Sequence, residues 1–172
     1  MFAHVNLVMR DLSCLPEAAF DIVWHPYSIN FIPDVQVVFR QVARILRRDG
    51  LYYLQCSNPF GSGMTEQDWN GEGYVLKHPY LQGVEITYMD QAWVYERRES
   101  TDPVPGPREY RHTLSTLMNG LIEQGFVIQH VSDSTAMHPD LSAEPGTWDH
   151  FVAYVPPWLA IWARYRPADS VE

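Results

Sequence analysis

Phe20-Asp21-Ile22-Val23-Trp24, then Pro33-Asp34 leading to Ala43-Arg44-Ile45-Leu46-Arg47-Arg48-Asp49-Gly50, then Leu51-Tyr52-Tyr53-Leu54-Gln55-Cys56, is the run that decides the fold. Its first and last pieces are nearly continuous apolar segments, as expected of parallel strands covered on both faces. Between them Val35, Val38, Phe39, Val42, Ile45 and Leu46 recur at helical spacing. Asp34 lies near the start of that helix and Arg47 and Arg48 near its end, which suits the helix dipole. Gly50 is expected to take the left-handed position that follows a helix. Strand, helix, strand at this spacing is a βαβ unit.

Working outward, Val5 to Met9 is another short apolar, β-rich run, ending at Arg10-Asp11. Downstream, about 60–112 breaks the alternation with Trp69, Tyr74, Tyr80, Tyr88, Trp93 and Tyr95 among scattered Gly and Pro. Such an excursion at the carboxyl end of a parallel strand is either an active-site lid or a surface insertion with a small core of its own. Ile86 to Arg97 could contain a strand, and Thr101 to Glu109 (TDPVPGPRE) reads as a turn-rich connector. Thr113 is placed to cap a second helix, with Leu114, Leu117, Met118, Leu121 and Ile122 on its buried face and Gly125 at its end. Strands are expected near 4–10, 20–25, 51–56, 126–132 and 158–164.

The chain has 172 residues, 46% hydrophobic and 13% aromatic, which fits one globular domain spanning 1–172. A net charge of −9 argues against a nucleic-acid partner, although Arg44, Arg47 and Arg48 cluster locally. No run approaches about 18 apolar residues, so no membrane span is implied. No signal peptide is apparent, which makes the cytoplasm the default. Cys14 and Cys56 form no CxxC pair and read as buried free thiols. The histidines show no HxH or HExxH spacing, so no metal site is expected.

Five short motifs stand in a telling order. Asp11-Leu12-Ser13-Cys14-Leu15-Pro16 resembles a "D-A-x-x-L-P" turn, and Phe20-Asp21-Ile22-Val23 an "F-D-x-V" strand. Arg44 to Gly50 resembles "R-V-L-K-P-G-G", Glu123-Gln124-Gly125-Phe126 resembles "x-x-A-G-F", and Pro156 to Arg164 resembles "P-x-F-L-x-x-x-A-R". Together they resemble the class I S-adenosylmethionine (SAM)-dependent methyltransferases, most nearly the small-molecule group typified by ubiquinone- and menaquinone-biosynthesis enzymes. The resemblance implies an α/β, Rossmann-like fold of which this chain holds the C-terminal part. That part is strands three to seven, the last antiparallel, with an insertion after strand five. The family's sheet order is three-two-one-four-five-seven-six. Strands one and two, and the glycine-rich cofactor loop after strand one, have no counterpart in this sequence. The resemblance therefore implies an N-terminally incomplete methyltransferase domain. The alternative is a non-catalytic remnant serving as an interaction module.

By the same resemblance, Asp11 would accept a hydrogen bond from the adenine amino group and the Leu12 backbone N–H would meet a ring nitrogen. A carboxylate suits an exocyclic amine because, when ionised, it only accepts. The bland role for Asp11 is a turn residue capping its own loop. His25, directly after strand four, would lie near the cofactor and a small-molecule methyl acceptor. It is the candidate general base, or else it only hydrogen-bonds the loop backbone. His112 is expected to be structural. Lacking the glycine loop, the chain alone is expected to bind SAM weakly or not at all. Its open sheet edge could pair with a second copy.

Overall fold

The computed structural model describes residues 8–87, 106–133 and 138–168. The expected first strand falls largely on residues outside these. Of it, Val8 forms an isolated antiparallel bridge with Asp11 across a tight turn.

The βαβ unit forms as its sequence predicts. Strand β1 (Phe20–Pro26) leads through a 3-10 turn to helix α1 (Val35–Ile45) and then to β2 (Leu46–Ser57), which runs parallel to β1. Asp34 caps α1: its carboxylate accepts the Gln36 backbone N–H at 2.9 Å. Val35, Val38, Phe39, Val42, Ala43 and Ile45 form the buried face of the helix. β2 begins at Leu46, earlier than the apolar run suggested, because Arg47 to Gly50 is looped out. Phe20 pairs with Leu46, yet Ile22 already pairs with Leu51.

The left-handed residue in that bulge is Asp49, with φ 65°, and not Gly50 as the helix-end rule implied. An Asp tolerates this backbone, and here it is also held from outside. Arg166 Nε donates to its carboxylate at 2.6 Å, and Arg164 donates to its carbonyl at 2.7 Å. Gly50 is required for a different reason. A Cβ there would lie 2.8 Å from the Arg47 carbonyl oxygen and 3.0 Å from a Leu46 methyl.

Beyond this unit, β3 (Glu85–Thr87) and β4 (Arg108–Tyr110) form a small antiparallel pair. The last two residues of the expected connector, Arg108 and Glu109, thus belong to a strand. Helix α2 (Leu114–Glu123) is capped by the Thr113 hydroxyl and stops before Gly125, at φ 84°. Leu117 and Leu121 are buried, whereas Ile122, expected on the same face, is exposed. β5 (Phe126–Ser132), a short helix α3 (Trp148–Tyr154) and β6 (Trp158–Tyr165) complete the chain.

The main sheet has the order β1-β2-β6-β5, with β6 antiparallel to both neighbours. The antiparallel closing strand is what the resemblance implied. Helices α1 and α2 cover the face that carries Val23, Tyr52, Leu54, Cys56, Ile161 and Ala163, and this layer is the core. Cys56 is buried in it, while Cys14, expected buried, is exposed on the loop after Asp11. On the opposite face Trp24 stacks on Tyr53 at 3.8 Å, and Trp162 packs against both. Among the described residues β1 lies at the sheet edge. Its Ile22 and Trp24 side chains are 60% and 61% exposed.

Candidate functional site

In an open parallel sheet, ligands bind beyond the carboxyl ends of the strands, where the chain leaves the sheet. Here that pole is built from the ends of β1 and β2, the turn after β1, and β4.

A first cleft of about 320 Å³ opens between the start of the described chain, β1 and α1. Met9, Leu12, Val23, His25, Ser28 and Val42 contribute to its mostly apolar wall. The sequence places Leu12 and His25 far apart, and the fold brings them to one cleft. Asp11 sits beside them with an exposed carboxylate. That carboxylate accepts the Ser13 N–H at 2.9 Å, the turn-capping contact, and the Ser13 hydrogen bonds hold its pKa below the usual value. The Leu12 N–H is not idle either: it donates to Gln41 Oε1 at 3.1 Å.

His25 is 7% exposed, and its Nδ1 lies 2.8 Å from the Tyr52 hydroxyl. It does not bond the loop backbone. Burial pushes the imidazole down to about 4, so the ring is neutral near pH 7. The Tyr52 hydroxyl is itself fully buried, and His25 Nδ1 is its hydrogen-bond partner. If Tyr52 donates, its proton is satisfied and the ring hydrogen sits on Nε2. In the reverse assignment Nδ1–H donates to the Tyr52 oxygen and the Tyr52 proton is unmet, so either way one buried proton has no acceptor. Nε2 has no hydrogen-bond partner. His25 thus contributes to the apolar wall of the cleft while its Nε2 stays buried and unpartnered. Burial alone makes His25 a poor proton acceptor near pH 7.

A second group lies at the same pole and was missed at the sequence level. Tyr27, directly after β1, donates its phenol O–H to Glu109 Oε1 at 3.0 Å. The Ser57 hydroxyl, at the end of β2, lies 3.4 Å from the Tyr27 oxygen and 3.5 Å from Glu109 Oε2. Asn30 fixes Ser57 twice, donating to its hydroxyl at 3.0 Å and accepting its backbone N–H at 3.1 Å. Glu109 is 5% exposed. Burial first, and then the nearby carboxylate, pushes the Tyr27 phenol up to about 12. Tyr27 also has φ 60°, a left-handed backbone that a bulky residue rarely adopts. Tyr27 lines a second cleft of about 410 Å³ with Gln55 and Trp158. The one available sequence signal was Tyr27 in the His25-Pro26-Tyr27-Ser28 turn. Glu109 is distant in sequence and sits at the end of an apparently featureless connector.

His112 is structural, as expected, with Nδ1 3.0 Å from Gln82 Nε2 and Nε2 3.3 Å from the Ile29 carbonyl oxygen. Among the described residues no group of three or more His, Cys, Asp or Glu is placed to hold a metal ion. No helix among them is long and apolar enough to cross a membrane.

Comparison with known proteins agrees with this geometry. Residues 3–54 match the model of a family described as a methyltransferase domain. A Bacillus subtilis (strain 168) protein, the uncharacterized methyltransferase YbaJ, is 25% identical over 123 residues, which is 70% of this chain and 45% of that protein. The chain thus spans under half the length of that relative. Among solved structures, one described as a SAM-dependent methyltransferase of Listeria monocytogenes is similar with a TM-score of 0.68 at 16% identity, covering 93% of this chain and 67% of that one. A SAM-dependent methyltransferase from Mesorhizobium loti gives 0.60 at 21% identity, covering 92% and 67%. The likeness to these structures shows a Rossmann-like mixed sheet, and the family match covers 52 of the 172 residues.

Proposed function

We propose that this chain is the C-terminal part of a SAM-dependent methyltransferase domain acting on a small-molecule acceptor. The observation that carries the reading is the apolar cleft at the carboxyl end of β1, lined by Leu12 and His25 beside Asp11. An apolar slot with an acidic residue at its rim fits a purine, which offers a flat apolar face and an exocyclic amine. When bound, the cofactor supplies an electrophilic methyl group on a sulfonium, so the protein chiefly positions the reactants. In this reading Asp11 accepts from the adenine amino group and His25 forms part of the wall beside the ligand. The Leu12 N–H exchanges Gln41 for a ring nitrogen.

Among the described residues β1 has no neighbour on its outer side, which supports the incomplete-domain part of the reading. Ile22 and Trp24 stand exposed where a further parallel strand and its helix would cover them. The two solved structures retain about a third of their length beyond what this chain covers. Without those elements the cleft holds one end of the cofactor, and each 1.4 kcal/mol of lost contact is tenfold in affinity.

Amide NMR during titration of the isolated chain with S-adenosylhomocysteine tests both parts. Shifts at Asp11, Leu12 and His25 are expected, with a Kd weaker than about 100 μM. No shift at millimolar ligand, or shifts confined elsewhere, would sink the cofactor reading. Low-micromolar binding would show that the chain is self-sufficient.

A further inference from the structure

We propose that Tyr27 and Glu109 form a proton relay for the acceptor, and that the cleft lined by Tyr27, Gln55 and Trp158 takes a flat, hydroxyl-bearing molecule of phenolic type. The inference rests on the methyltransferase reading and names the substrate class of that same pole.

Three independent features converge. The first is the hydrogen-bond direction. Tyr27 donates to Glu109, so its phenol oxygen is an acceptor polarised by a carboxylate. Ser57 has one proton and two acceptors at nearly equal range. When it donates to Glu109, a Tyr27 lone pair is left for an incoming O–H. The second is strain. A tyrosine at φ 60° costs about 1–3 kcal/mol, and such strain persists where the surroundings over-determine it, often at active sites. Here the Tyr27 N–H is tied to the Gln55 carbonyl at 2.7 Å and its phenol to Glu109. The ring is thereby held at both ends. The third is the cleft itself, which pairs the aromatic walls of Tyr27 and Trp158 with the Gln55 amide.

The chemistry requires such a group. Methylating a hydroxyl oxygen from a sulfonium releases one proton. In the relay the acceptor O–H bond breaks and its proton passes to Tyr27 Oη. The Tyr27 proton passes to Glu109 Oε1, so Tyr27 ends as it began and Glu109 becomes the carboxylic acid. No net tyrosinate forms, which matters because the phenol is held at about 12. Tyr27 is the residue that touches the acceptor; Glu109 acts through it.

The test uses the whole chain and no cofactor. 4-Nitrophenol is the probe, and 4-nitroanisole, its methyl ether, is the control that lacks the O–H. In the wild type, 4-nitrophenol is expected to bind at least about tenfold more tightly than the ether. Its absorption should move toward that of the phenolate when bound. Tyr27→Phe should abolish the preference, and Glu109→Gln should abolish the spectral shift. Equal binding of phenol and ether by the wild type would overturn the proposal, even if Glu109→Gln cannot be folded. So would a preference that survives Tyr27→Phe. If this comparison fails while S-adenosylhomocysteine still shifts Leu12 and His25, only the acceptor assignment falls. If the nucleoside does not bind while the probe behaves as expected, the relay stands as a phenol site and the methyltransferase reading falls.

Discussion

Lowering the pH from neutral toward 4.5 should destabilise this protein before its carboxylates begin to protonate, and His25 should be the main cause. Its pKa falls from 6.5 to about 4 on burial, so between those values the unfolded chain binds a proton that the folded chain refuses. Stability is complete above pH 6.5 and is lost as pH falls toward 4. The slope is about 1.4 kcal/mol per pH unit, and the total about 3 kcal/mol. That is a large share of the roughly 5–15 kcal/mol typical of a domain. His112, also lowered mainly by burial, adds in the same direction. The lowered carboxylates Asp11, Asp49 and Asp140 act in a different window, since their contribution is lost only as pH falls below their ordinary value of 3.8. Urea denaturation followed by tryptophan fluorescence, at steps between about pH 4.5 and 8, gives the slope directly. His25→Gln keeps an acceptor for the Tyr52 hydroxyl but cannot titrate, and it should flatten most of the slope. Equal loss of stability in the wild type and His25→Gln would show that a buried neutral imidazole is not the source.

Three further outcomes follow from packing and backbone geometry. Phe39→Ala empties a fully buried site against Tyr52 and should cost about 3–5 kcal/mol in chemical denaturation. Gly125→Ala places a Cβ 2.8 Å from Pro167 Cα at φ 84° and should cost about 1–3 kcal/mol. Gly73→Ala, with nothing within 4 Å of the new atom, should stay within about 0.5 kcal/mol. Asp34→Ala removes the α1 cap and should cost about 1 kcal/mol in the same assay, while Asp34→Asn should retain most of it.

Local rules sufficed for the βαβ unit and the Thr113 cap, while the antiparallel closing strand came from the resemblance and the Asp34 cap from the structure. Apolar spacing marks the buried face of α1. Asp34 and Thr113 can satisfy the first amide groups of their helices wherever those helices pack. The resemblance marked Asp11, Leu12 and His25, and two of these do share one cleft. Local rules failed where a distant part of the chain took over. The left-handed position went to Asp49 because Arg164 and Arg166 from β6 and the segment after it reach its carbonyl and carboxylate. Ile122 lies outward because the α2–β5 layer buries Leu117 and Leu121 instead.

Only the tertiary structure decided what the site residues can do chemically. His25 looked like a base in sequence. Burial makes it a neutral ring whose Nδ1 is tied to the Tyr52 hydroxyl, contributed from β2. Glu109 carried no local signal at all, since nothing in a proline-rich connector says that its carboxylate will be buried against the ends of two strands. Hydrogen-bond direction and desolvation depend on groups brought together from far along the chain, and periodicity and capping carry no record of them.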